Sequence, residues 1–338
     1  MIAKGFPNPA AASPDNTSAD GSMRRSISTG GLVLKFRIVS GYLGQSGSCA
    51  SGVDSMTPAS TKFGPPFKTS PKRGTLLDLI EPVKSTQIWP DLLYIVRHGE
   101  SAGNVARDAA LEAGHPMIDI EIRDVDVPLS DLGQRQAEAL GRWLGALPAK
   151  ERPNIVLTSP YLRARHTAGL IVKTAGMRED TYSLVVDERF REKEFGILDR
   201  LTAIGVGARF PDQVEFRRLL GKFYHRPPGG ESWCDVILRL RSATEMISRE
   251  YCGQRVLIVC HAVVVLCMRY LLEHMTESEL LAVDKKEEIA NCAVTLYEHD
   301  PKLGPRGNLR LKQFNFVAPL EQAGAPVTSQ PDANVGAR

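Results

Sequence analysis

The sequence predicts an α/β fold, three layers (α/β/α) around a mostly parallel central sheet. Three observations carry that expectation. Short apolar runs rich in β-branched residues recur along the chain. Segments with helical periodicity separate them. At 338 residues the chain is long enough to cover both faces of a sheet.

The elements follow in order. Leu92 to Val96 (LLYIV) is a continuous apolar run, the pattern of a buried strand. Ser130 to Leu147 places Leu132, Ala137, Leu140, Trp143, Leu144 and Leu147 at helical spacing, with Ser130 as N-cap and Pro148 beyond the end. Asn154 to Thr158 is a second strand, Arg163 to Lys173 a helix, and Ser183 to Val186 a third strand. Cys234 to Tyr251 is a long amphipathic helix. Arg255 to Cys260 (RVLIVC) is a fourth buried strand, and His261 opens a helix through Leu272. Ala293 to Glu298 and Asn308 to Phe314 finish as strands. No repeat period is visible.

Composition narrows the function classes. Hydrophobic residues make up 43% and charged residues 24%, a globular balance that argues against wholesale disorder. No apolar run reaches the roughly 18 residues of a transmembrane helix, so no membrane partner is expected. A net charge of +3 is too small to point to nucleic acid. That charge is uneven: residues 1–75 carry nine Lys/Arg and three Asp/Glu, a net of +6, which leaves −3 for the rest. This head is rich in Ser, Gly, Pro and Ala and lacks periodicity. It reads as a disordered basic leader or an over-long start, with Met23 or Met56 as alternative beginnings. Arg24-Arg25 has the look of an export signal, but Lys35 and Arg37 interrupt the apolar stretch that would follow. Residues 76–318 are the folded body, and residues 319–338 read as a flexible tail with little to bury. Six cysteines form no CxxC pair and no zinc spacing. Their apolar neighbours suggest free thiols in a reducing, cytoplasmic setting. No metal or cofactor is called for.

Four clusters carry chemistry, and each follows a predicted strand, where open α/β sheets bind ligands. The first is Arg97-His98-Gly99-Glu100-Ser101 with Asn104. Arg97 offers a planar fork of donors suited to phosphate. His98 presents an imidazole nitrogen, or else merely bonds backbone at a strand end. The second is Thr158 to Ala168, where Arg163 falls in the first turn of a helix, a favourable anion site; Arg165 reads as a solvated arginine. The third is Arg191-Glu192-Lys193-Glu194-Phe195-Gly196, where a carboxyl beside a phosphate pocket suits a general acid; Lys193 and Glu194 read as surface charge. The fourth is His261, which taken alone reads as a satisfied core histidine. Together they supply two histidines, two arginines and one carboxyl. Phosphoryl transfer needs in-line attack and neutralisation of the equatorial oxygens, and Arg97, Arg163 and His261 are the charges for that task.

Over about residues 90–300 this arrangement resembles the histidine phosphatase superfamily, or phosphoglycerate mutase-like proteins. The resemblance rests on RHGES with Asn104, DVPLSDLGQRQA (126–137), TSPYLRARHTA (158–168), REKEFG (191–196), PPGGES (227–232) and VLIVCHA (256–262). It implies a phosphoglycerate mutase-like fold with a catalytic domain at 76–318. It implies His98 as the nucleophile that becomes phosphohistidine, and Arg97, Arg163 and His261 as the phosphate pocket. Asn104 becomes a secondary phosphate contact and Glu192 the proton donor to the leaving oxygen. Glu231 and Ser232 lie in a motif near the family's site, and Ser232 reads as an N-cap.

Within the family, three positions depart from glycolytic mutases. Phe195 stands where they carry Tyr, Leu198 to Val206 lacks their Lys, and Ala262 replaces Gly. The pattern is similar instead to broad phosphatase-like members in plants, fungi and bacteria. The expectation is a metal-independent phosphatase for a small phosphorylated substrate, with a mutase or a non-catalytic phospho-ligand binder as the alternatives. Residues 203–228, with Arg209, Arg217, Arg218, Lys222, His225 and Arg226, form either a cap over the pocket or a solvated helix. The segment between Asn104 and Asp126 holds His115, which touches substrate or sits in a surface turn. Oligomeric state stays open, a homodimer included.

Overall fold

The computed structural model describes residues 87–329. The expectations for residues 1–75 and for 330–338 lie outside the described residues. The strands are β1 (Leu92–Arg97), β2 (Ile155–Thr158), β3 (Ser183–Val186), β4 (Arg255–Cys260), β5 (Val294–Asp300) and β6 (Asn308–Phe316). They form one sheet in the order β3-β2-β4-β1-β5-β6. The first four run parallel, and β5 pairs antiparallel with both β1 and β6.

Alternation along the central strands divides the core in two. Leu93 and Ile95 of β1 and Val256, Ile258 and Cys260 of β4 pack on one side. There they meet α6 (Trp233–Glu250) and α7 (Ala262–Leu272). Tyr94 and Val96 of β1 and Leu257 and Val259 of β4 pack on the other, against α2 (Asp131–Ala146) and α3 (Leu162–Thr174). Val256 through Cys260 are fully buried. Burial of each such aliphatic side chain contributes about 2 kcal/mol, so both faces of β4 are stabilised at once. The three-layer architecture expected from the sequence is the one observed.

Two close approaches tie the layers together. A Cβ on Gly133, in the first turn of α2, would lie 1.9 Å from the Glu100 carbonyl oxygen, and one on Gly99 would lie 2.5 Å from the Gly133 carbonyl oxygen. Only residues without side chains let α2 press onto the loop after β1. Ser130 caps α2 through Gly133 N–H, as its sequence position predicts.

Several elements escaped the sequence reading. Helix α1 (Ala102–Glu112) begins directly after the first motif, with Ser101 and Asn104 forming a capping box. Helix α8 (Glu277–Lys286) has another, from Thr276 and Glu279. The 203–228 segment becomes α4 (Ala203–Arg209) and α5 (Pro211–Tyr224), with Gly221 at φ +76° interrupting α5. Arg218 pairs with Glu215, Lys222 with Asp284, Arg226 with Asp235, and buried His225 meets Gln213 at 3.2 Å. Phe216, Leu219, Leu220 and Tyr224 are at least half exposed, so this is no ordinary solvated polar helix.

The tail expectation needs correction for residues 319–329. Helix α9 (Ala318–Gln322) buries Leu320 completely, and Ala325 is also buried, both against the α2–α3 side of the core. Gln136 of α2 donates to the Pro326 carbonyl, and Ser329 bridges to Ala290. The few apolar residues there sit at positions that α2 leaves open, which composition alone does not reveal. Among the described cysteines, Cys260, Cys267 and Cys292 are buried free thiols, Cys234 is half-buried, and Cys252 is exposed.

Candidate active site

The parallel ladder delivers the chemistry. His98 N–H donates to the Cys260 carbonyl and Ser159 N–H to the Val259 carbonyl, so the backbone beyond β1 and β2 stays fixed against β4. Adjacent strands lie about 4.8 Å apart. The first residues after β1 and β4 therefore stand side by side, and the rings of His98 and His261 meet edge to face at 5.1 Å. Both histidines are buried.

A hydrogen bond defines the His98 tautomer. His98 Nδ1 lies 2.7 Å from the Gly99 carbonyl oxygen, which can only accept, so Nδ1 carries the proton. Nε2 then holds the lone pair, and Arg163 Nε donates to it at 3.2 Å. Burial, reinforced by the charges of Arg163 and Arg97, holds His98 well below the usual histidine range. His261 Nε2 lies 2.8 Å from Ser159 Oγ, which also accepts from Tyr161 N–H and can either donate to the ring or accept from it. His261 Nδ1 lies 3.9 Å from Glu192 Oε2 and, like Arg97 Nε, is buried without a hydrogen-bond partner. His261 is also held neutral, by burial first and then by Arg163.

Arg97 is buried, and its Nη1 donates to the Ile289 carbonyl. Burial draws its pKa down to about 10, against the opposing pull of Glu192. Arg163 rises from the first turn of α3 and stacks over the Tyr161 ring at 4.9 Å. Its two terminal nitrogens grip Asp124, Nη1 at 2.9 Å from Oδ1 and Nη2 at 3.1 Å from Oδ2. Nη1 also donates to the Asp124 carbonyl at 2.6 Å.

Glu192 follows β3 on a loop braced from below. Glu231 accepts from Arg191, from Arg239 Nε and Nη2, and from Glu194 N–H. Arg239 also donates to the carbonyls of Arg189 and Glu192. Gly196, at φ +56°, lets this loop pass the 228–230 turn: a Cβ there would lie 2.2 Å from the Pro228 carbonyl oxygen. The Glu192 side chain is largely buried, and Oε1 accepts from Lys193 N–H.

The structure thus brings His98, Arg97, Arg163, His261 and Glu192 together at the carboxyl ends of four parallel strands. Asn104 is the N3 residue of the α1 capping box, its Oδ1 accepting from Ser101 N–H. Ser232 is the N-cap of α6, as expected. Arg165 is exposed, and His115 lies in an exposed turn beyond α1. Lys193 is corrected: it is buried, with Nζ 4.2 Å from the Phe195 ring centroid. Glu194 is half-exposed and accepts from Tyr161 Oη.

Other contributors went unread in the sequence. Buried Asn291 donates to the His98 carbonyl at 3.0 Å, and Thr328 donates to Asn291 Oδ1. Gln136 links Thr328 Oγ1 to Glu100 N–H. The contacts to His98 and from Thr328 cross 193 and 37 positions of chain, so no local spacing announces them.

A family model of the histidine phosphatase superfamily (branch 1) matches residues 93–305. The chain belongs to that superfamily of phosphoryl-transfer enzymes, mutases and phosphatases together. It is 29% identical over 212 residues to 2,3-bisphosphoglycerate-dependent phosphoglycerate mutase 2 of Gloeobacter violaceus, covering 62% of this chain and 85% of the relative. It is 30% identical over 182 residues to phosphoglycerate mutase-like protein AT74H of Arabidopsis thaliana, covering 50% of this chain and 57% of that one. A mycobacterial glucosyl-3-phosphoglycerate phosphatase solved with inorganic phosphate shares the fold, with TM-score 0.51 and 24% identity over 68% of this chain and 99% of that chain. Among the described residues no helix is long and apolar enough to cross a membrane.

Proposed function

We propose that the chain is a metal-independent phosphatase that hydrolyses small phosphomonoesters through a phosphohistidine on His98. One observation carries the reading. A neutral imidazole with its lone pair on Nε2 stands among buried polar nitrogens, two of which, Arg97 Nε and His261 Nδ1, have no hydrogen-bond partner. An unpaired buried donor costs about 1–3 kcal/mol, and a phosphoryl oxygen offsets that cost at Arg97 Nε and at a protonated His261 Nδ1.

In the first step the Nε2 lone pair forms a bond to phosphorus as the ester P–O bond breaks. The leaving oxygen takes the proton of Glu192, which enters as the acid. Arg97 and Arg163 neutralise the equatorial oxygens, and neutral His261 donates a hydrogen bond to one of them from Nδ1. The Gly99 carbonyl keeps the Nδ1 proton in place, so the ring cannot present the wrong nitrogen. In the second step water attacks phosphorus and yields its proton to the Glu192 carboxylate. The P–N bond breaks and returns the lone pair to Nε2.

The test is phosphate release in EDTA from a panel of phosphomonoesters that includes 3-phosphoglycerate. Wild type should release phosphate, and a folded His98→Ala variant should lose about 10³-fold or more of that activity. Appearance of 2-phosphoglycerate without free phosphate would replace hydrolysis with the mutase reaction. Substantial turnover by His98→Ala would remove His98 as the nucleophile.

A further inference from the structure

Arg163 has five N–H donors. Four are engaged: Nε on His98, and the terminal nitrogens on the Asp124 carboxylate and carbonyl. The two partners differ in environment. The Arg163 side chain is 6% exposed and that of Asp124 is 44% exposed. Asp124 belongs to a single 3₁₀ turn, Asp124–Asp126, on the long surface segment between α1 and α2. Arg200 fastens the preceding stretch by donating to the carbonyls of Ile120 and Ile122, and Thr202 holds His115 and Pro116. Asp124 thus sits beyond a fixed stretch of backbone, with its carboxylate laid across the arginine fork.

We propose that Asp124 is a specificity-determining latch: it occupies the face of Arg163 meant for the substrate phosphoryl group and yields only to a group of higher charge. The inference rests on the phosphatase reading above, because that reading seats phosphate on Arg163. A carboxylate and a phosphate present the same pair of oxygens to a guanidinium fork, so the two compete. Displacement is asymmetric. Asp124, half-exposed, regains water when it leaves, whereas buried Arg163 has no such recourse and must receive another anion. A dianionic phosphomonoester brings twice the charge of the carboxylate it replaces. A carboxylate metabolite of single charge brings no advantage over Asp124 and is excluded. After hydrolysis the latch competes with the product as well, so it weakens the hold on inorganic phosphate.

The probe is inorganic phosphate, titrated calorimetrically into the full chain. Asp124→Asn keeps the shape and removes the charge. It should tighten phosphate binding about tenfold, which corresponds to about 1.4 kcal/mol. The phosphate inhibition constant during turnover should fall in step. Asp126→Asn is the control: it removes the same charge from the same turn, and Asp126 pairs with Arg123 rather than with Arg163. It should leave phosphate affinity unchanged. Unchanged or weaker binding in Asp124→Asn overturns the latch and leaves Asp124 as a support for Arg163. Equal tightening in Asp126→Asn also overturns it, because the effect is then general charge and not displacement. Failure of wild type and Asp124→Asn alike to bind phosphate or turn over ester overturns the phosphatase reading itself, and the latch with it.

Discussion

Glu231→Gln tests how the acid is held. Glu231 receives four hydrogen bonds: Arg191 Nη2 at 2.7 Å, Arg239 Nε at 2.9 Å, Arg239 Nη2 at 3.0 Å and Glu194 N–H at 3.1 Å. Burial alone would raise its pKa, but the bonds and charge of Arg239, the Glu194 N–H and Arg191 hold it below the ordinary glutamate value. A glutamine keeps one acceptor and turns the other into an NH₂ that faces two donors. At least two bonds to charged or backbone donors are lost. Each such bond contributes about 1.5–3 kcal/mol when a charged group is involved. Arg191 is about one-third exposed, so its share is discounted for screening. The expected destabilisation is about 2–4 kcal/mol, read as a shift of the urea midpoint. Catalysis should suffer separately, because Arg239 also holds the carbonyl of Glu192. A displacement of about 1 Å in a reacting group costs about 10²-fold. The loss should fall on kcat for alkyl phosphates, whose leaving oxygen needs the Glu192 proton, and far less on an aryl phosphate with an acidic leaving group. KM should hardly move, since the phosphate pocket is built on other strands. Equal losses on both substrate types, or full kcat on alkyl phosphates in a folded variant, would refute this account of the brace.

Two further outcomes follow from the buried network. His98 and His261 are kept neutral when folded, whereas an unfolded histidine titrates near 6.5. As pH falls through that value the unfolded chain binds protons that the folded chain refuses, so stability falls, with a limiting slope of about 1.4 kcal/mol per pH unit for each histidine. His225, drawn down to about 4 by burial and then by Arg217, adds to the trend. Urea midpoints between pH 7.5 and 5 should show the decline, and His98→Asn should flatten it; an unaltered slope would contradict the buried neutral state. Asn291→Ala should lose about 1–3 kcal/mol of stability and lower kcat about tenfold at constant KM, because the His98 carbonyl and the Thr328 hydroxyl lose their partner. Thr328→Val should reproduce the stability loss, and a wild-type profile for both variants would deny the network any part in placing His98.

Much of the frame was readable in the chain. Strands β1 and β4 each carry a continuous apolar run, and a site residue ends each: Arg97 before His98 in the first, His261 in the second. Their types also point to phosphate. What stayed hidden are residues whose meaning depends on a distant partner. Asp124 has the look of loop charge until Arg163 faces it, and Glu231 of a motif glutamate until Arg239 rises beneath it from α6. Asn104 illustrates the opposite difficulty. The Ser101–Asn104 capping box is a local helix signal, but a reading of that stretch as a phosphate motif left α1 unnoticed. Thr276 and Glu279 announce α8 in the same way. Lys193 was misread because burial of its stem on Phe195 depends on the path of the loop, not on composition.

The tie between Asn291, Thr328 and His98 has a consequence in time. The nucleophile lies early in the folded body, yet its carbonyl is secured by a residue 193 positions later, and that residue in turn by Thr328. A ribosome must therefore translate past Thr328, and the tunnel must release it, before the pocket takes its final form. Strand β1 waits in the meantime for β4 and β5, its neighbours on either side. Pairings of such long range are slow to form. A nascent chain that stops short of Thr328 would thus carry every catalytic side chain and still lack the clasp that aims the first of them, so competence waits on that one late residue rather than growing with the chain.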